Sequence, residues 1–414
     1  MTKDNASPLP NTFRFLGVLG LAYVLSQFLR SSNAVIAPEL VLDLGLDASE
    51  LGALTGAYFL SFALVQLPVG ILLDRFGPRR VMSSMMLMAV LGSYVFSISN
   101  DLAGFTMARA LMGLGCASIL MGGFVVFARW YPKSRFSMFA GAMLGIGNMG
   151  LLVSTFPLAW TVERFGWRTS FEWTSLAALV LAAAVYFILR DNPPGQAARS
   201  SDENLLESVK GFGVILAERR LWTLYPLMFV GYASVASISM LWAGPYLADV
   251  HGLDVISRGE ILFLMGCGSV AGAFFYAPLD RLFNTRKGVV IGGALTALTV
   301  LLLLATQGEG SLVLTTAAFA MLALATGYVT VLTAHSRSLY PDHMVGRGVS
   351  LGNMMNMMGV AVVQLLSGVV MDFVSGLGLD VATRYGVVFV FLAALLAVTL
   401  TVYSRSKDIR PDEV

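Results

Sequence analysis

Apolar runs long enough to cross a bilayer recur along the whole 414-residue chain, at about 13–42, 49–73, 79–98, 102–128, 136–162, 168–190, 221–248, 257–281, 288–306, 311–336, 347–373 and 381–404. A hydrocarbon core needs roughly 20 apolar residues to be spanned by a helix. In lipid, any non-helical span that is not a closed barrel leaves backbone groups unpaired. The sequence therefore predicts an all-α membrane protein with twelve transmembrane helices. Composition agrees: 57% of the residues are hydrophobic and 13% are charged, about half the charge that usually covers a soluble surface. Cys116 and Cys267 both fall inside apolar runs, so no disulfide framework is implied.

Charge placement orients the chain. The two tails and the loops after even-numbered spans hold all but six of the 27 Lys and Arg residues. The opposite loops hold Arg164, Arg168, Arg258 and Arg384, while Arg30 and Arg109 lie inside spans. Basic residues are retained on the cytoplasmic side, so both termini are expected in the cytoplasm of a bacterium, with the spans in its inner membrane. The polar N-terminus, Met1 to Asn11, leads straight into a span and does not read as a removable signal peptide.

One long polar stretch divides the chain. Residues 191–220 open on Asn192-Pro193-Pro194-Gly195 and continue from Asp202 to Arg219 with apolar residues at helical spacing. They are expected to form a cytoplasmic linker carrying an amphipathic surface helix. The expected organisation is a six-helix bundle over 1–190, this linker, and a second six-helix bundle over 221–414.

The halves repeat each other. Pro38-Glu39-Leu40 before Gly45-Leu46-Asp47 returns as Pro245-Tyr246-Leu247 before Gly252-Leu253-Asp254. Asp74-Arg75 before Arg79-Arg80 returns as Asp280-Arg281 before Arg286-Lys287, and Tyr131-Pro132 returns as Tyr340-Pro341. Three matches in register point to two pseudo-symmetric bundles with a ligand site between them at mid-depth.

The loop after the second span reads Gly70-Ile71-Leu72-Leu73-Asp74-Arg75-Phe76-Gly77-Pro78-Arg79-Arg80. It resembles the signature loop of the major facilitator superfamily, G-x-L-x-D-R-x-G-x-R-R/K, and the resemblance extends over nearly the full chain. It implies the fold of that family and a conformational latch formed by Gly70, Asp74, Arg75, Gly77, Arg79 and Arg80, with Asp280 and Arg281 in the repeat. Asp74 would face the N-terminus of the eleventh helix near Arg347, where free N–H groups favour an anion. In the second copy Tyr276 replaces the first glycine. Span four carries Arg109-Ala110-Leu111-Met112-Gly113, similar to the family's R-x-x-x-G element. There the arginine either serves proton coupling or snorkels to the outer interface.

Arg30 sits midway along span one, between Gln27 and Asn33. A guanidinium near the bilayer centre costs at least about 2.5 kcal/mol on insertion scales, so it should face a water-filled cavity with a partner. Its planar fork matches a carboxylate or phosphate. An arginine here is similar to that of the family's organophosphate/phosphate antiporters, as is Arg190-Asp191-Asn192-Pro193. Those proteins carry a second arginine in helix seven, where this chain has Ser237. The missing fork favours a singly charged or amphiphilic organic anion over a doubly charged phosphate ester. Gln27, Asn33, Tyr58, Asn148, Tyr232, Ser237, Trp242, Asn353 and Asn356 complete the candidate substrate-binding set. Glu39, near the outer end of span one, is a candidate coupling group if burial raises its pKa, and an interfacial residue otherwise. The G-N-x-G stretch at Gly147-Asn148 resembles the family's nitrate transporters, but their arginines in helices two and eight are absent.

The expected function is a secondary transporter moving a small organic anion, carboxylate in type, by alternating access. The alternative is a proton-coupled drug or metabolite exporter of the same fold. Span five has Gly141, Gly145, Gly147 and Gly150 in place of the exporters' G-P-x-x-G-G motif, and packing explains those glycines. An enzyme is not indicated: there is no metal-ligand cluster, no nucleophile–His–carboxylate set and no soluble phosphate loop. No cofactor and no nucleic-acid partner are expected. The partners are the anionic substrate, a co-transported proton in the coupled case, and the lipid bilayer, with the chain acting as a monomer.

Overall fold

A computed structural model of the chain describes residues 12–193, 213–340 and 345–413. Among the described residues there is no strand, and twelve helices are long and apolar enough to cross a membrane. Spans 1–6 pack as one bundle and spans 7–12 as the other. Most of the linker expected to carry an amphipathic helix lies outside the described residues; its final part, 213–217, is helical.

The repeat seen in the sequence is also a repeat of backbone conformation. After span 1, Gly45 adopts φ 66, and after span 7 Gly252 adopts φ 63. A left-handed residue ends a helix without steric cost only when it lacks Cβ. Two residues later Asp47 accepts a hydrogen bond from the Glu50 N–H, and Asp254 does the same from the Ser257 N–H. These caps satisfy the first free N–H groups of spans 2 and 8. The signature loop follows the rule as well. Gly77 has φ 82, and its counterpart 207 positions on is Asn284 with φ 49, a residue type that tolerates this region.

Several spans are broken, and the breaks in spans 1 and 4 have counterparts in spans 7 and 10. Span 1 is split into Thr12–Ser31 and Asn33–Leu44, and span 7 contains a π-helical turn at Ile238–Trp242. Span 4 divides into Leu102–Cys116 and Ile119–Trp130, and span 10 into Leu312–Ala325 and Tyr328–Arg337. Span 5 runs over Lys133–Val153 and resumes at Phe156. Gly166, with φ 80, then separates it from span 6 inside the helix Phe156–Ile188.

The bundles close on each other at the far end, opposite the chain termini. Gly52 and Gly56 of span 2 (Ala48–Phe76) face the backbone of Gln364 and Ala361 in span 11 (Val345–Ser375). A Cβ on Gly368 would lie 2.5 Å from the Ala48 carbonyl oxygen, and one on Gly244 only 1.8 Å from that of Ala34. Small residues at such crossings let helix backbones touch. Two polar contacts bridge the same seam. The Asp372 carboxylate accepts from the Ala48 N–H at 2.9 Å and the Ser49 N–H at 2.8 Å, and Arg258 of span 8 (Val255–Tyr276) donates to Glu39 of span 1. Because Gly244 has no room for a side chain, Gly244→Leu should prevent far-end closure while leaving each bundle folded. Protein yield should stay near wild type, and a thiol placed at the seam should become reactive to a water-soluble maleimide.

Candidate functional site

The helix breaks of spans 1, 5, 7 and 10 converge on a cavity of about 250 Å³ at mid-depth between the bundles. Span 1 contributes Gln27, Arg30, Ser31 and Ala34, and span 5 contributes Asn148, Leu151 and Thr155. From the other half come Tyr232 and Ser239 of span 7, Ser269 of span 8, and Thr326 and Thr330 of span 10. A break frees backbone groups and turns side chains that a straight helix would keep against its neighbours. Arg30 and Ser31 sit at the span 1 break, Ser239 in the π turn, and Thr326 at the span 10 break.

Arg30 is 8% exposed, and its guanidinium carbon lies 5.0 Å from the centre of the Phe62 ring. Its Nε has no hydrogen-bond partner, and among the described residues no ion pair includes it. Tyr232 lines the same cavity beside it. Among the described residues no Asp or Glu lines the cavity. An arginine in such a wall keeps its charge, so the cavity has a positive group with donors to spare and no acidic group of its own.

Four of the candidate substrate residues therefore stand together around one space: Arg30, Gln27, Asn148 and Tyr232. Gln27 Nε2 donates to Asn148 Oδ1 at 3.3 Å, while Gln27 Oε1 is buried without a partner. The others lie elsewhere. Asn33 is buried one turn beyond Arg30 and donates to Thr55 at 2.6 Å. Tyr58 is fully buried behind Arg30, with its hydroxyl donating to the Ser26 carbonyl at 3.2 Å. Trp242 is used inside the second bundle, where its Nε1 donates to Ser367 at 2.9 Å. Ser237 is buried with no partner for its hydroxyl, and Asn353 and Asn356 are half-buried on span 11; none of the three lines this cavity.

Arg109 does not snorkel to an interface. It is fully buried, donates to the Leu29 carbonyl at 2.8 Å and lies 5.1 Å from the Tyr58 ring centre. The glycine of its motif, Gly113, is pressed against span 2, where a Cβ would stand 2.1 Å from the Tyr58 carbonyl oxygen. Of the span 5 glycines, Gly147 and Gly150 pack on Tyr23 and Val24 of span 1, whereas a Cβ on Gly141 or Gly145 would meet nothing within 4 Å, so close packing does not account for those two. Glu39 lies outside the cavity lining and pairs with Arg258 across the bundles.

In the signature loop Asp74 lies 4.0 Å from Arg129 of span 4. The Arg79 N–H donates to Asp191 at 2.7 Å, and the Arg79 guanidinium covers the Tyr186 ring at 4.4 Å. Gly77 packs directly against the Asp191 carboxylate, where any Cβ would collide. Arg75 stacks over Phe76, and Arg80 and Gly70 lie near the same end of the bundle. In the repeat, Asp280 pairs with Arg286 at 3.6 Å and Arg281 sits in the short helix Leu279–Leu282.

The hydroxyls on spans 8 and 10 escape sequence reasoning. Serine and threonine are common in spans, and most donate to their own helix, as Thr330 does to Gly327 at 2.7 Å. What marks Thr326 is its position at a break matched by Ala117 and Ser118 in span 4.

Known proteins share both the sequence pattern and the architecture. The probable L-galactonate transporter of Escherichia coli (strain K12) is 28% identical over 273 residues, which are 61% of this chain and 58% of that protein. The matched part therefore spans less than two thirds of that relative. The gallate transporter of Pseudomonas putida is 25% identical over 378 residues, 83% of this chain and 82% of that protein. Among solved structures, a bacterial homolog to the human lysosomal transporter Spinster, in an inward-facing and unoccupied conformation, superposes with a TM-score of 0.75 at 17% identity, covering 97% of this chain and 98% of that one. The family model described as Major Facilitator Superfamily matches residues 19–278 and 244–413. With twelve spans in two repeated bundles, the signature loop and this match over most of its length, the chain belongs to the Major Facilitator Superfamily.

Proposed function

We propose that the chain is a secondary transporter that carries a small organic monoanion across the bacterial inner membrane by alternating access, as a monomer with both termini in the cytoplasm. The observation that carries this reading is the Arg30 guanidinium in the wall of a mid-depth cavity that has no acidic lining residue among the described ones. Such a site attracts a carboxylate and repels a cation. Gln27, Asn148 and Tyr232 add neutral hydrogen-bonding groups beside it, which suits a carboxylate bearing further polar substituents. The relatives named for L-galactonate and gallate support a carboxylate as cargo. The broken spans 1, 5, 7 and 10 around the cavity support rocking of the two bundles about it.

A drug exporter of cationic compounds would need a carboxylate where this cavity has Arg30. Uptake into proteoliposomes decides between the two. With L-galactonate, gallate, a dicarboxylate, a sugar phosphate and a cationic dye offered in turn, the protein should take up a monocarboxylate and leave the dye. Transport of the dye with no uptake of any anion would refute the proposed function.

A further inference from the structure

Of the three arginines in the signature loop, two are occupied. Arg75 stacks over Phe76, and the Arg79 guanidinium covers the Tyr186 ring. Arg80, the third residue of span 3 (Pro78–Ile98), is exposed. Among the described residues its side chain joins no hydrogen bond, ion pair or ring contact.

Arg80 stands at the head of a groove of about 410 Å³ between spans 3 and 6. The buried Ser83 and Ala182 form its floor, and the exposed Leu87, Leu179 and Phe187 its walls. From Arg80 to Leu87 the groove follows two turns of span 3, about 10 Å. Both spans are long and apolar enough to cross the bilayer, so the groove opens sideways into hydrocarbon while its head lies at the interface. The hydroxyls inside it are spent on their own helix: Ser83 donates to the Arg79 carbonyl at 2.8 Å and Ser84 to the Val81 carbonyl at 3.1 Å. Below Arg80 the groove therefore offers apolar contact alone, and at its head a free cation. Topology accounts for a basic residue at this end of the bundle. It does not account for the groove beneath it.

The internal repeat does not call for this arginine either. In both halves a later Asp accepts from the N–H of the helix's second residue: Asp191 from Arg79 at 2.7 Å, and Asp408 from Lys287 at 3.0 Å. The third residue is Arg80 in span 3 and Gly288 in span 9 (Arg286–Thr306). Gly288 lines a groove of the same volume, about 410 Å³, between spans 8 and 9, with no charged lining residue among the described ones. The two grooves thus differ in the cation.

We propose that the groove between spans 3 and 6 binds an anionic phospholipid of the leaflet on the side of the chain termini, with its phosphate on Arg80 and an acyl chain along Leu87, Leu179 and Phe187. A guanidinium keeps its charge beside hydrocarbon, and its planar fork matches a phosphate through two parallel bonds. Basic pockets between spans take acidic headgroups for this reason. The start of span 3 is not the attraction, because Asp191 already accepts from its Arg79 N–H. The site is independent of the solute carried in the central cavity.

The test uses phosphatidylglycerol and phosphatidylcholine probes that share one diazirine-bearing acyl chain. Each is placed at equal mole fraction in proteoliposomes of the full chain, irradiated, and its adducts mapped by peptide mass spectrometry. Phosphatidylglycerol should mark residues 179–187 about fivefold more than phosphatidylcholine, the preference that one basic contact at a membrane surface supplies. The groove at Gly288 should take up both probes equally. Arg80→Gln should abolish the preference and Arg80→Lys should keep most of it. Ala183→Trp, at a lining position exposed to lipid, fills the groove and should cut labelling of residues 179–187 by both probes. Added glycerol phosphate, a headgroup with no chain, should not compete.

Equal labelling of residues 179–187 by the two lipids in the wild-type protein overturns the proposal, as does a preference that survives Arg80→Gln. Labelling there that Ala183→Trp leaves untouched places the chain outside the groove, and displacement of the probe by glycerol phosphate assigns the site to a free phosphate; both overturn it too. The wild-type comparison needs no variant, and an unchanged pattern at the Gly288 groove shows that each variant is folded in the bilayer.

Discussion

Arg30→Ala is expected to raise the anion concentration for half-maximal uptake by roughly thirty- to several-hundred-fold, equivalent to about 2–4 kcal/mol of lost charge-assisted hydrogen bonding. The estimate follows from position: the guanidinium is nine-tenths buried, has free donors and lines the cavity. Arg30→Lys should recover only part of the loss. A lysine keeps the charge and gives up the planar fork that binds a carboxylate through two parallel bonds. The check is initial-rate uptake across a concentration series, with the purified variants first shown to be monodisperse. Equal half-saturation for wild type and Arg30→Ala would remove Arg30 from the site.

The second large effect concerns the far end. Arg258 is buried, and its partner Glu39 comes from the other bundle. Glu39→Ala leaves the guanidinium enclosed without a carboxylate whenever the far end is shut, whereas in the open form water can solvate it. The closed form should lose about 2–3 kcal/mol relative to the open one. Arg258→Leu in the same chain removes the stranded charge, so the double variant should recover much of the closed population. Spin labels at Leu42 and Val250 would report the distance across the far end. A Glu39→Ala protein that stays as closed as wild type would show that the pair contributes nothing to the seam.

Apolar runs located all twelve spans to within a few residues, because in lipid the length of an apolar stretch and the need to pair every backbone group leave one solution. The repeat was legible because Gly45 and Gly252, or Asp47 and Asp254, are called for by backbone geometry that recurs in both halves. Arg30 stood out because a charge inside a span is costly enough to need a reason. The rest depends on which way a helix turns. Lipid and protein faces of a span are both apolar, so nothing local said that Trp242 would bond Ser367 or that Asn33 would bond Thr55. Arg109 left two readings open, a coupling group or an interfacial anchor, because its motif lies near a span end; span 1 offers it the Leu29 carbonyl instead of an interface. The Glu39–Arg258 pair spans 219 residues of sequence and exists only once two bundles meet.

Structure determination in the presence of a transported monocarboxylate tests the central claim most directly. The account predicts the carboxylate within about 2.7–3.2 Å of the Arg30 guanidinium nitrogens, its remaining polar groups toward Gln27, Asn148 and Tyr232, and the far end shut as it is here. An anion bound away from span 1, with Arg30 still resting on Phe62 and making no contact to it, would contradict the account.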